Sequence, residues 1–503
     1  MTVSHPTPRS LFTAKWMFPF LLAFFLGLGA FIRFSDLSAP LLDFHPVRQL
    51  FSAIKARGIY YETLPNVPAW QKDLAIRQYT GEATIEPPIL DHVVASLYIY
   101  FGQENTAYPR AISATFWLIA AIFLFLLSKN LTNSFPAAFF SLAFFLFLPY
   151  GITASRAFQP DPLMVLLIII FWWSMERSAK SPDFALGWTL LAGFSGGFAI
   201  FIKFPAVFFI AGGAIGAILA HSNILQALKP FKTWLIAIIC ILPAATYLYY
   251  GIYMGGFLGQ QFGSRFYPEL WISPYFYLRW FLTLSNVMDV LWLALALFGL
   301  FVFANKPAKT FLASLWVSYI IFGFAFAHHI SSHDYYSLPL IPIVALSIAP
   351  LFAQLSSFFS DKLLPNHSSQ LITFFLLLVT FFLFSINQYI ARRTNDYRPQ
   401  AAFWAEVGNA IGHQPGVVAI TTDYGYPLAY YGWQNADIWP LAPDIQDFDE
   451  TFSHFQGKKS YFLITDFDEY NRQPELQKKL SENYPILAQG NGYLIFDLYH
   501  PKH

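Results

Sequence analysis

From residue 16 to residue 390 the chain alternates long apolar runs with shorter polar connections. Eleven runs stand out, near 16–34, 109–127, 134–152, 161–176, 186–203, 205–220, 233–252, 287–304, 311–328, 335–353 and 370–390. A helix needs about 20 mostly apolar residues to cross a hydrocarbon core of roughly 30 Å, so each run predicts a membrane span. The fourth and sixth runs are short. The fifth and sixth are weakly separated, so those two can also be drawn as one re-entrant pair. The first run is long and lacks a small-x-small cleavage pattern, which favours a retained helix over a signal peptide.

Two connections are longer than the rest. Residues 35–108 contain the stretches HPVRQLFSAIKARGIYY and PPILDHVVASLYIYFG, where apolar and polar positions mix at helical spacing, as in helices lying along a membrane surface. Residues 253–286 are rich in aromatics, Gly and Arg. Beyond residue 391 the pattern changes. AAFWAEVGNAIG, PLAYYGW and PELQKKLSEN read as helices, while GVVAITTD, KSYFLITD, YPILAQG and GYLIFDLYH read as strands. Strands alternating with helices predict a small α/β unit with a mainly parallel sheet. Asp423, Asp437 and Asp466, near strand ends in that unit, have equal claims as site residues.

Charge agrees with this division and orients it. Only 12% of residues are charged and 56% are apolar, against about 25% charged in soluble proteins. Residues 1–391 hold 36 of the charges and the last 112 residues hold 23. With the N-terminus inside, ten Lys and Arg fall in inner connections (Arg9, Lys15, Lys129, Arg177, Lys180, Lys229, Lys232, Lys306, Lys309 and Lys362), against three inner acids. Short basic connections stay cytoplasmic, and an odd number of spans then exports the tail. A net charge of +1 without a basic stripe argues against a nucleic-acid partner. No phosphate-binding loop of the nucleotide type occurs, which argues against an ATP-driven transporter. The single cysteine, Cys240, excludes an internal disulfide and cysteine-based metal sites.

On this topology four groups of polar residues fall on the outer face. Asp43 and Arg48 lie in DFHPVRQ, just past the first span. Asp43 can serve as a general base, with Arg48 gripping a phosphate, or Asp43 can cap the following helix. Asp161, in RAFQPDP, sits where a helix cap is expected, yet a carboxylate at a membrane boundary is costly to bury and so often functional. Lys203, in FIKFP, either snorkels to the interface or binds a lipid phosphate. In HHISSHDYY, His329 and His333 are four apart, a weak metal-pair spacing equally suited to phosphate contact.

The order of these features resembles the GT-C membrane glycosyltransferases, in particular bacterial relatives of the protein O-mannosyltransferases (family 39) and of the lipid A aminoarabinose transferase (family 83). The resemblance covers about residues 10–391. It rests on Asp43, Glu86-Pro87-Pro88, Tyr108-Pro109-Arg110, Pro160-Asp161-Pro162, Lys203-Phe204-Pro205 and His333-Asp334-Tyr335-Tyr336 with Leu338-Pro339. It implies a polytopic α-helical protein of about eleven transmembrane helices, carrying a small extracytoplasmic C-terminal α/β domain. The expected domains are 1–391, with 35–108 as its first outer loop, and 392–503. It also implies transfer of a sugar from a polyprenyl-phosphate donor to a protein, lipid or glycan acceptor at the outer face of a bacterial inner membrane. Asp43 then resembles the catalytic base and Asp161 a second functional carboxylate. Arg48, Lys203, Arg265 and His333 would bind the donor phosphate, while Glu86, Asp334 and Tyr335 are further candidates. Protein mannosyltransferases often place Glu after the loop Asp, where this chain has Phe44. Aminoarabinose transferases tend to place a basic residue before the Pro-Pro pair, where it has Glu86.

No nucleotide and no tightly held metal is expected. The one cofactor the pattern admits is a divalent cation bridging phosphate to a carboxylate or to His329 and His333. The competing function is a transporter or flippase of lipid-linked sugar. Transporters place polar residues near the bilayer midplane in several helices, whereas these spans are apolar through their centres.

Overall fold

The computed structural model describes residues 14–181, 185–259, 265–362 and 395–502, with a few positions between 379 and 390. The eleventh apolar run, 370–390, lies mostly outside the described residues. The chain divides into two compact units. The first comprises residues 1–37, 84–87 and 110–394, and the second comprises 38–83, 88–109 and 395–503. Residues 35–108 therefore group mainly with the tail.

The first unit is helical. Among the described residues, four helices are long and apolar enough to cross a membrane: Ala107–Thr132, Asp161–Lys180, Phe231–Met254 and Lys306–Ala325. Six more are apolar but shorter, including Leu186–Ile202 and Ala206–His221. Helix Leu186–Ile202 packs against Asp161–Lys180 and Phe231–Tyr249, and Ala206–His221 packs against Lys306–Ala325. Glycines permit these approaches. A side chain at Gly197 would collide with the carbonyl of Ile239, and one at Gly299 with that of Ser347. Without a hydrophobic drive between helices in lipid, such small-residue contacts supply the packing.

Two expected spans are interrupted. The run 134–152 forms helix Phe135–Phe147 and a short helix Pro149–Ala154, with Leu148 extended between them. Pro149 has no N–H to continue the ladder and disfavours a helical residue before it. The carbonyls freed by the break find other donors: Trp117 Nε1 reaches Phe145 O at 3.1 Å, and Arg33 Nη2 reaches Leu146 O at 2.7 Å. The buried Arg33 also donates from Nε to Ser155 Oγ at 2.8 Å, so its charge is spent on backbone repair. The run 287–304 begins as an apolar helix only at Val290. Helix Pro274–Val287 precedes it at an angle of 94°, and Asp289 caps the second helix by accepting from Leu291 N.

In the second unit both stretches expected to be helical form helices, Pro46–Thr63 and Ile89–Phe101, with Ala69–Gly81 between them. The tail builds a five-stranded sheet from β1 (Val417–Ile420), β2 (Asp437–Ile438), β3 (Tyr461–Ile464), β4 (Ile486–Gly490) and β5 (Tyr493–Asp497), in the order β2-β1-β3-β5-β4. Alternate residues point to opposite faces. Val418, Ile420, Phe462 and Ile464 pack with Leu476 and Leu480 of helix Pro474–Asn483. Val417, Ala419 and Leu463 pack with Trp404 and Val407 of helix Arg398–Ile411 and with Leu428. The sheet is mixed, not mainly parallel: β1 pairs in parallel with β2 and β3, while β5 runs antiparallel to β3 and β4. The turn between β4 and β5 accounts for this, because Asn491-Gly492, with Gly492 at φ 94°, closes a hairpin.

Candidate functional site

In the first unit the site grows from two helix ends. Helix Asp161–Lys180 starts after a turn, and Pro160, not Asp161, occupies the cap position without any side-chain cap bond. The Asp161 carboxylate is used elsewhere. Both its oxygens accept from Lys203 Nζ, at 2.8 and 2.9 Å. Lys203 follows helix Leu186–Ile202 in an extended conformation and precedes Pro205, which opens the next helix, so its side chain is delivered from a break between two spans. Asp161 is 1% exposed and Lys203 4%. The ammonium therefore does not snorkel. Its remaining surroundings are aromatic, with Nζ 5.0 Å from the ring centre of Tyr335 and 5.2 Å from that of Tyr336.

The segment carrying those tyrosines folds as helix Ala327–Ser332 followed by a single 3-10 turn, Asp334–Ser337. Tyr150 donates its hydroxyl to Asp334 at 2.5 Å. His329 and His333 lie with ring centres 6.2 Å apart, and His329 faces Tyr336 at 5.3 Å. Burial pushes the His329 imidazole down to about 4, helped by Arg265, His328, His333 and Lys203, so it is neutral at physiological pH. Among the described residues no group of three or more His, Cys, Asp or Glu is arranged to hold a metal ion.

A cavity of about 190 Å³ opens beside the ion pair, with Glu86, Lys203, Tyr247, Arg265 and Tyr336 among its lining. Phe201 also lines a second, almost wholly apolar groove of about 650 Å³ between helices Asp161–Lys180, Leu186–Ile202 and Phe231–Tyr249. The unit thus offers a small, mainly apolar chamber whose wall carries Glu86, Lys203 and Arg265, with an apolar groove sharing Phe201 with it. That combination suits an amphiphile with an anionic head.

Asp43 and Arg48 belong to the second unit. Asp43 does not cap helix Pro46–Thr63; the cap position is His45, held at φ 43°. Gln49, wholly buried in the first turn of that helix, donates Nε2 to Asp43 Oδ1 at 3.2 Å and to Phe44 O at 2.6 Å. Arg48 lies over the Phe51 ring at 5.7 Å, and Lys55 lies over the same ring at 3.9 Å. Nearby, Tyr426 donates to Glu82 at 2.9 Å. Burial raises the Glu82 carboxyl above its usual range, opposed by the Tyr426 hydrogen bond and by Lys55.

Comparison with known proteins is consistent with this arrangement. The family described as dolichyl-phosphate-mannose-protein mannosyltransferase matches residues 86–250. The fold resembles ArnT from Cupriavidus metallidurans bound to undecaprenyl phosphate, with a TM-score of 0.58 and 13% identity over 97% of this chain and 98% of that one. The apo form of the same protein gives 0.59 at 14% identity with the same coverage. The chain therefore shares its fold with these membrane proteins. A further neighbour of the fold is the archaeal oligosaccharyltransferase AglB from Archaeoglobus fulgidus, in complex with an inhibitory peptide and a dolichol-phosphate. It matches with a TM-score of 0.53 and 10% identity, over 95% of this chain and 74% of that one. Comparison with curated protein sequences gives no match.

Within this fold the structure brings Asp161, Lys203 and Tyr335 together and places Glu86 and Arg265 on the adjoining cavity. Sequence reasoning did not single out Gln49, Tyr426 or Glu82. Gln49 is the fourth residue of its helix, one past the position from which a Gln usually reaches back to the cap, so the local pattern did not mark it. The partners of Tyr426 are more than 300 residues away and leave no local trace.

Proposed function

We propose that this integral membrane protein transfers a sugar from a polyprenyl-phosphate donor to an acceptor on the outer face of a bacterial inner membrane. The observation that carries this is the cavity lined by Arg265 and Lys203 among apolar side chains, beside an apolar groove, within a GT-C fold whose solved neighbours were captured with undecaprenyl phosphate and dolichol-phosphate. A lipid phosphate leaves with growing negative charge, so fixed cations favour the transition state without a nucleotide. Arg265 and Lys203, both on the cavity lining, are the proposed cations for the departing phosphate, and the Lys203–Asp161 pair shapes the chamber wall. Asp43 is the proposed general base, taking a proton from the attacking acceptor group. The cavity has one acid and two cations among its lining, with apolar helix centres below. That suits binding of one anionic head more than passage of a polar sugar, and so favours the enzyme over a flippase.

The test is direct. Purified protein in lipid is incubated with undecaprenyl-phosphate-linked mannose, glucose and 4-amino-arabinose carrying a radiolabel, together with a membrane extract as acceptor source. Release of undecaprenyl phosphate with label in an acceptor is expected for one sugar. Movement of intact donor across the vesicle wall without cleavage would instead establish the flippase.

Sidedness has its own measurement. The proposal puts the tail and Asp43 outside and Lys306 inside, from the distribution of Lys and Arg. Reporter fusions at Lys306 and at His503 should give opposite sidedness, and the same sidedness at both would overturn the outer-face reading.

A further inference from the structure

The tail's short helix Tyr426–Tyr431 lies in the same unit as the Asp43 loop and is bonded to the first outer segment throughout its length. Tyr426 donates to Glu82, Ala429 O accepts from Gln78 at 2.9 Å, and Tyr430 O accepts from Arg57 at 2.7 Å. Arg57 is itself buried, bonded to Glu104 through Nε and Nη2, and stacked 3.8 Å from the ring centre of Tyr430 and 4.1 Å from that of Trp433. Glu104 in turn accepts from the Tyr430 hydroxyl at 2.6 Å. The last residue of the helix, Tyr431, reaches the loop itself: its hydroxyl oxygen accepts from Leu41 N at 2.7 Å, and Leu41 is wholly buried.

The loop is thus held from both sides of Asp43. Two residues before it, Leu41 is tied to the tail. Six residues after it, Gln49 reaches back to the Asp43 carboxylate and to the Phe44 carbonyl. Between these ties His45 adopts a left-handed conformation that a non-glycine residue rarely takes, at φ 43° and ψ 70°. Such strain persists only where surrounding contacts over-determine the backbone, and these two ties are among the contacts that do so.

We propose that Gln49 and Tyr431 are positioning residues for Asp43, and that the C-terminal domain is thereby part of the catalytic apparatus. The inference rests on the reading of Asp43 as the general base. Gln49 donates to the ionised carboxylate, which both orients it and favours its charged form. Tyr431 holds the chain that leads into it, so truncating the tail removes an anchor of the base as well as a surface domain.

The experiment uses the full-length protein in lipid with the three undecaprenyl-phosphate sugars named above. Gln49→Met keeps length and removes the donor, and Tyr431→Phe keeps the ring and removes the acceptor. Each is expected to lower kcat by about tenfold or more while leaving KM for the donor unchanged, because misplacing a reacting group costs rate more than binding. In Gln49→Met the acid limb of the pH–rate profile should move to higher pH. Loss of the donor lets Asp43 hold its proton longer, so the deficit is largest at low pH and shrinks as pH rises. In an Asp43→Asn background neither substitution should reduce the residual rate further, whereas a general loss of folding would add to it. A native rate in Asp43→Asn would remove the base reading itself. An inactive Asp43→Asn beside a native rate and an unshifted profile in Gln49→Met would overturn the positioning role alone. Hydrogen exchange supplies an arm independent of the sugar. Amides of residues 38–46 should exchange at least about tenfold faster in both variants while β1 and β3 keep their protection, and unchanged exchange in that loop would sink the proposal.

Discussion

Replacing Lys203 by Ala is expected to remove most of the folded protein from the membrane. The Asp161 carboxylate accepts from Lys203 through both oxygens, and the two side chains are 1% and 4% exposed, so deleting the lysine leaves a buried charge with neither water nor a cation. Breaking a buried pair from one side typically costs about 3–5 kcal/mol, a large part of the stability of an ordinary domain. Asp161→Asn retains an oxygen for the ammonium, and Lys203 keeps the faces of Tyr335 and Tyr336, so its loss should be smaller. The double variant Lys203→Met with Asp161→Leu removes both charges together and should return the melting temperature close to native, since an apolar pair of similar volume replaces a buried ion pair at little cost. Thermal melting in detergent and yield in the membrane fraction measure all three. Transfer by the double variant then separates two roles. A stable protein with no transfer means that the pair acts on the substrate, whereas a stable and active one means that it only holds helix Asp161–Lys180 to the break at Lys203. Native melting of Lys203→Ala would show that the pair contributes nothing to stability.

The membrane elements were legible because length and apolarity alone define them. Runs such as 109–127 and 161–176 reappear as Ala107–Thr132 and Asp161–Lys180. What did not read through was where a run bends. Leu148-Pro149 inside 134–152 carried the signal, since proline both lacks an N–H and pushes its predecessor out of the helical region, yet apolarity continues across it. In the tail three helices and the four longer strands were visible in the sequence, while the short helices Phe448–Ser453 and Phe467–Asn471 were not. The sheet's mixed direction was written in Asn491-Gly492, a hairpin signal that outweighs the general expectation from alternating elements.

The site was legible in its residue types and less so in their partners. Asp161 and Lys203 each had a local explanation, a cap for one and snorkelling for the other. The structure replaces both with a single contact between residues 42 positions apart. Asp43 likewise had a cap reading that fails because His45 occupies the cap position. Local pattern reports what the backbone nearby needs, and it is blind to a partner brought in by tertiary packing. The contacts of Tyr426, Tyr430 and Tyr431 with residues 82, 104 and 41 are the extreme case, since the tail and the first outer segment lie at opposite ends of the sequence.

Asp43→Asn is expected to reduce transfer by roughly 100-fold or more with folding intact, the scale on which a positioned general base contributes. The substitution isolates basicity. The amide has nearly the size of the carboxylate, and its carbonyl oxygen can still accept from Gln49, so the loop geometry set by Gln49 and Tyr431 has no reason to change. KM for the lipid donor should stay near native, because the proposed phosphate contacts come from Arg265 and Lys203 and not from Asp43. Arg265→Ala should show the complementary pattern, weakening donor use as well as slowing the step, since a charge-assisted contact to phosphate both positions the donor and stabilises the leaving group. The measurements are initial rates of undecaprenyl phosphate release against donor concentration, with yield and melting temperature as folding controls. If Asp43→Asn is produced normally and transfers sugar at the native rate, the base lies elsewhere. Glu86, on the wall of the cavity beside Lys203, is then the first candidate, and Asp334, already engaged by the Tyr150 hydroxyl, is the second.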